Sequence, residues 1–218
     1  MITEEQALAE GKTCSFTGQY YDNLEEAVEL ANNHGGGTIT LIADTVVSKD
    51  GKIPEMTFNS NVTIASKGGH YFRIYRGEHD RKEMLQVKDG TLRFFNVIID
   101  GDCEGGAIRA AIRISDLGYV ELRNSTICNN HSNNEGNAEN EGASAVCCAG
   151  KKATLRFDDK CYIRHCAATG SAVGAIVASG GKIINGGVRF EDNTSDNGDN
   201  PNYVDWAGNT KVMGAILA

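Results

Sequence analysis

Four stretches of this chain superimpose when written in register: MLQVKDGTLRFFNVIIDGD from Met84, AIRISDLGYVELRNSTICNN from Ala111, AVCCAGKKATLRFDDKCYIRHC from Ala145 and AIVASGGKIINGGVRFEDN from Ala175. Each reads as a short apolar strand, a Gly or Asp-Gly turn, a second alternating strand, an Asn/Asp/Gly corner and a third strand. Equivalent residues keep step. Leu85, Ile112, Val146 and Ile176 lie 27, 34 and 30 residues apart, and Ile99, Ile127, Ile163 and Phe190 lie 28, 36 and 27 apart, the variable part falling in the loop after the third strand. A unit of this length cannot bury its apolar side alone, so the repeat restricts the chain to a solenoid in which each coil covers the next.

The expected fold is therefore all-β, a single-stranded right-handed parallel β-helix. Its inward columns read Leu85/Ile112/Val146/Ile176, Leu92/Val120/Leu155/Ile183, Val97/Ser125/Cys161/Val188 and Ile99/Ile127/Ile163/Phe190. Asn96 and Asn124 coincide at the corner between the second and third strands, where stacked asparagines can hydrogen-bond from rung to rung.

An end rung exposes open strand edges and an apolar interior, which a capping element must cover. Residues 22–34 supply one: Leu24, Ala27, Val28 and Ala31 fall on one helical face. Asp22 and Glu25 form a capping-box pattern, and Gly35 to Gly37 provide the stop. MITEEQALAEG offers a weaker copy, with Thr3 and Gln6 as cap partners and Gly11 at its end. The chain thus divides into an N-terminal segment with a capping helix, 1–37, and a parallel β-helix, 38–218. GAILA at Gly214 to Ala218 repeats GAIVA at Gly174 to Ala178, so the last coil reads as truncated, to be completed by further chain or another copy.

The 218 residues suffice for one sizeable core. A formal charge of −8, with no dense Lys/Arg run, argues against nucleic acid as a partner. MITEEQALAEGK does not read as a secretory signal, and no segment approaches the roughly 18 apolar residues of a membrane span. With 26 glycines and 2 prolines the chain suits many tight turns, and the polar stretches 129–144 and 191–202 read as surface loops.

FTGQYYDNLEEAVELANNHGGGTITLIADTVV resembles the opening motif of the pectin-lyase-like right-handed β-helix domains found in large secreted and surface proteins of bacteria. In that motif an aromatic, a Leu-Glu-Glu-Ala helix and a Gly-Thr-Ile-x-Leu strand begin the coil. TLRFFNVIIDGD and VELRNSTICNN resemble the rung pattern of the same group, and the likeness spans about Phe16 to Ala218. It implies a secreted or cell-wall-associated, adhesin-like bacterial protein. Such modules are usually structural spacers or adhesive surfaces, although the scaffold also carries polysaccharide lyases and glycoside hydrolases, so fold alone does not choose.

Four groups of residues are candidates for chemistry. In HYFRIYRGEHDRK, from His70 to Lys82, Tyr71, Arg73 and Tyr75 alternate with Phe72 and Ile74, so one face presents tyrosine and arginine outward as in a recognition patch. The alternative is a strand with a solvated face. Trp206 is either a sugar platform or an anchor for its loop. Among seven cysteines, Cys147, Cys148, Cys161 and Cys166 with His165, and Cys128 with His131 one rung earlier, suggest a zinc set. Adjacent Cys147 and Cys148 turn to opposite faces, however, and Cys161 falls in an inward column. Burial as small hydrophobes is expected first, then a rung-to-rung disulfide, then a metal.

Asp100, Asp102, Glu191 and Asp192 are the carboxylates that sugar chemistry would need, but the outward column Asp100/Cys128/Arg164/Glu191 sets two of them three rungs apart. At roughly 4.8 Å per rung that is about 14 Å, beyond the roughly 9.5 Å limit of inverting pairs. These acids, like Asp44, Asp50 and Asp89, suit turns and solvation. Phosphate-loop, dinucleotide, serine-elbow and zinc-protease motifs are missing. The expectation is a non-catalytic extracellular module that binds a glycan or a host or cell-surface protein, without catalytic, metal or cofactor residues. A carbohydrate-active enzyme is the alternative.

Overall fold

The computed structural model describes residues 2–47, 56–76, 83–101, 109–133, 142–170, 172, 174–196, 200–205, 208 and 210–214. Trp206, Asp50, Asp102 and the GAILA residues after Gly214 lie outside them. The strands form a parallel β-helix with three long walls, here called sheets A, B and C, which have nine, six and six strands, and a short three-stranded sheet D. Each coil runs through A, then B, then C. Its outward face alternates with its inward face because successive strand side chains point to opposite sides.

The inward columns stack as the repeat requires. Leu85, Ile112, Val146 and Ile176 are register partners in sheet C. Leu92, Val120, Leu155 and Ile183 are partners in sheet A. Ile99, Ile127, Ile163 and Phe190 are partners in sheet B, where Ile74 extends the column by one rung. Phe94, Leu122 and Phe157 form a second ladder in sheet A, buried with the rest in one continuous core.

Left-handed residues bend several of the coils at two corners. Asn96 (φ 57°) and Asn124 (φ 47°) turn sheet A into sheet B, and the Asn124 side-chain amide donates to Asn96 Oδ1 at 2.7 Å. Asn129 (φ 54°), His165 (φ 53°) and Asp192 (φ 52°) turn the chain out of sheet B. Asn and Asp tolerate this region better than other residues with a Cβ. At the corner from C to A the constraint is space. A Cβ on Gly90 would lie 2.5 Å from Ser60 O, and one on Gly118 would lie 2.4 Å from Val87 O, so the rungs close on each other only through glycine.

The N-terminal end is closed by more than a helix. Helix α1 (Glu4–Ala9) has the full Thr3/Gln6 capping box. Helix α2 (Leu24–Asn33) packs its buried Leu24, Ala27, Val28 and Ala31 over the first coil. Its cap is Asn23, which accepts from Glu26 N–H at 2.8 Å, and not the expected Asp22 with Glu25; Asp22 instead accepts from the Asn23 side chain. Only Gly35 (φ 77°) serves as the stop, beyond a C-cap at His34, because Gly36 and Gly37 already belong to the first parallel strand, Gly36–Leu41. Asn32 ties α2 to the rung beneath it, donating to Thr57 O at 2.7 Å and accepting from Ser60 Oγ at 2.9 Å.

The open edge of sheet A is covered by an antiparallel hairpin, Cys14–Phe16 with Gln19–Tyr21, which the sequence reading did not anticipate. That reading also gave each coil three strands. The later coils have a fourth, in which His131–Ser132, Ala167–Ala168 and Thr194–Ser195 pair in parallel as sheet D. Parts of 129–144 and 191–202 are therefore strand and not loop, and the strand Ala143–Cys148 is buried at all six positions. A strand covered on both faces reads as a near-continuous apolar run, as GAIVA does and as ASAVCC does apart from the buried Ser144.

Two outcomes test this architecture. Ile127→Ala, in the middle of the sheet B ladder, is expected to lower unfolding free energy by about 2–5 kcal/mol. Asn124→Ala is expected to cost about 1–3 kcal/mol, with Asn124→Gly recovering the part due to the left-handed backbone. Urea titrations of the variants give both numbers, and an unchanged midpoint for Ile127→Ala would contradict the stacked core.

Candidate binding surface on sheet B

Strand Phe72–Arg76 places Tyr71, Arg73 and Tyr75 on the outer side of sheet B, with Ile74 fully buried behind them. The alternation read from the sequence holds, and Phe72 is half-buried against the core. Tyr71 is 49% exposed and its position is set from two coils on: the Asn124 amide that bonds Asn96 also donates to Tyr71 Oη at 2.5 Å. The ring is thus anchored at its polar tip while its faces meet solvent. His70 and Phe72 stack beside it, with ring centroids 5.5 Å apart at 27°.

The Arg73 side chain is about half exposed, but its charge is matched. Its Nη1 lies 2.7 Å from Asp100 Oδ2, and its backbone N–H donates to Asp44 Oδ1 at 2.8 Å. Asp100 sits in register with Tyr75, one column over from Arg73, so the ion pair is diagonal. Asn129 donates to the other Asp100 oxygen at 3.0 Å. The resulting surface is aromatic and polar, with its central charges neutralised.

The outward column Asp100/Cys128/Arg164/Glu191 is in register as expected. It does not converge. Asp100 is held by Arg73, while Arg164 and Glu191 approach only to 4.0 Å at the exposed end. The other buried carboxylates are likewise engaged. Glu83 faces Arg109 and Arg113, and Glu121 is surrounded by Arg93, Arg123 and Arg156 at 3.4, 2.8 and 3.4 Å. These cross-rung pairs went unread in the sequence; the signal available was opposite charge one repeat apart, as in Arg93, Glu121 and Arg156, which are direct register partners.

The six described cysteines are all buried thiols. Cys147 turns outward into a small apolar cluster with Ala110, Ala143 and Val177, whereas Cys148 and Cys161 face the main core. The zinc set and the rung-to-rung disulfide are therefore not formed among the described residues, where no group of three potential ligands converges. Burial pushes the Cys14, Cys128, Cys148 and Cys161 thiols up from 9.0 to about 12, Asp100 adding to the effect at Cys128.

Because these folded-state values lie above the unfolded one, the folded state holds more protons between pH 9 and about 12. The associated stability is intact below pH 9 and falls as pH rises through that window, by about 1.4 kcal/mol per pH unit per thiol. Urea midpoints measured from pH 7.5 upward should decline only beyond the onset of that window. Iodoacetamide labelling read by peptide mass should spare Cys14, Cys148 and Cys161 in the folded protein and modify them in urea. Compared with protein-family models, with curated proteins and with solved structures, the chain matches none, so its architecture rests on strand register alone.

Proposed function

We propose that this chain is a non-catalytic β-helix module of a bacterial surface or secreted protein, of the pectin-lyase-like, adhesin-like kind its opening motif resembles, and that it binds a glycan or a protein through the Tyr71/Arg73/Tyr75 strip. The observation that carries the reading is the anchoring of Tyr71. A half-exposed aromatic ring is held from its hydroxyl by an asparagine pair that spans two coils, beside an arginine whose charge Asp100 balances. A ring fixed in this way loses little freedom on binding, which favours affinity. No helix among the described residues is long and apolar enough to cross a membrane.

The placement of the acids favours binding over catalysis. Asp100 and Glu191 share a column but stand three rungs apart, and the buried carboxylates already face arginines. A paired, buried carboxylate stabilises the wall and is poorly placed to exchange a proton with a substrate.

A glycan array, followed by titration of any hit, tests the proposal. Tyr71→Ala is expected to weaken binding by about tenfold or more, and Asn124→Gly to weaken it less by freeing the ring. Equal affinity of wild type and Tyr71→Ala for every bound glycan or surface protein would sink the reading.

A further inference from the structure

A second surface lies at the corner where sheet C turns into sheet A, on residues that the proposed ligand strip does not use. A groove of about 470 Å³ is lined there by Lys151, Lys152, Lys182 and Lys211 with Thr154 and Gly181. A neighbouring groove of about 670 Å³ shares Lys151 and Lys152 and continues past Arg113 and Ser115. Lys182 and Lys211 are direct register partners on adjacent rungs, and Lys151 and Lys152 cap the turn one rung earlier. Like charges opposed across a strand pair, roughly 4.8 Å apart, are destabilising.

Among the described residues no ion pair relieves that repulsion. Nearby arginines face carboxylates, Arg113 reaching Glu83 at 3.6 Å and Arg156 reaching Glu121 at 3.4 Å, yet no described carboxylate pairs with any of the four lysines. Asp116 also lines the second groove, its backbone packed against Gly150 beside Lys151 but its carboxylate in no ion pair with the lysines, and Asp205, on the next rung, is taken up by Gly208 and Thr210. A concave run of unpaired lysines, in a chain whose net charge is −8, is a local excess that an anion would offset.

We propose that this corner binds a linear, multiply charged oxyanion, a chain of phosphate or sulfate groups, laid along the two grooves. Lysines act on such groups as point charges from flexible stems, so closely spaced tetrahedral anions fit them without the planar fork that single carboxylates favour. The two grooves share Lys151 and Lys152, so one extended ligand can contact all four lysines.

Titration calorimetry with inorganic tripolyphosphate, and separately with a sulfated oligosaccharide, tests the assignment. Binding of either ligand at low salt supports it, and which one binds identifies the source of the charge. Lys182→Gln/Lys211→Gln and Lys151→Gln/Lys152→Gln should each weaken binding by about tenfold or more, while the charge-matched control Lys12→Gln/Lys160→Gln should not. Tripolyphosphate should also raise the thermal midpoint of the wild type but not of Lys182→Gln/Lys211→Gln, a readout that shows the variant is folded. Failure of both ligands to bind, equal loss in the control, or clear preference for a DNA duplex over both would overturn the proposal. Loss of Tyr71-dependent binding has no bearing on this result, because the two surfaces share no residue.

Discussion

The in-register parallel stacking of successive coils is the constraint on which everything else depends. A coil has no core of its own: Ile127 is buried only because Ile99 and Ile163 lie against it, and the same holds along the Leu92 and Leu85 ladders. Since side chains alternate, a slip of one residue would turn each ladder outward and bring its polar neighbours in. Register is locked at the corners. Asparagines in the left-handed region bond rung to rung at one bend, and glycines at another admit the previous rung within a distance no Cβ could share.

With the interior fixed in this way, the outward columns become arrays in which residues one repeat apart are neighbours. Charge is managed there by cross-rung pairing. Glu121 is almost fully buried beneath three arginines, Asp100 beneath Arg73 and Asn129, and Glu83 beneath Arg109 and Arg113. Individually such pairs add modest stability when the arginines remain exposed. Their larger effect is to decide which parts of the wall are electrically neutral, and so what each surface can attract. The Tyr71 strip is neutral at its centre, whereas the Lys182/Lys211 corner is not.

Much of the fold was legible because period two and a repeat near thirty residues leave signals that a linear reading can find. The four inward columns, the Asn96/Asn124 ladder, the helix over the first coil and the outward Tyr71/Arg73/Tyr75 face all follow from them. Sheet D was not legible, since a two-residue strand such as Ala167–Ala168 carries no periodicity. The hairpin Cys14–Phe16/Gln19–Tyr21 escaped for the same reason, its strands being three residues long. At the helix start, Asp22 and Asn23 are both good caps, and only the backbone geometry chose between them.

By itself, the sequence determined which residues are stacked, because burial of an apolar face at a fixed repeat admits one register. It determined equally that Cys161 faces inward and that Tyr71 and Arg73 share an outer face. Only the tertiary structure decided what those outer residues meet. Tyr71 is held by Asn124, 53 positions away, and Arg73 by Asp100, 27 positions away and one column across. Such contacts depend on side-chain length and on the offset between neighbouring columns, physical quantities that exist only once the coils lie on one another.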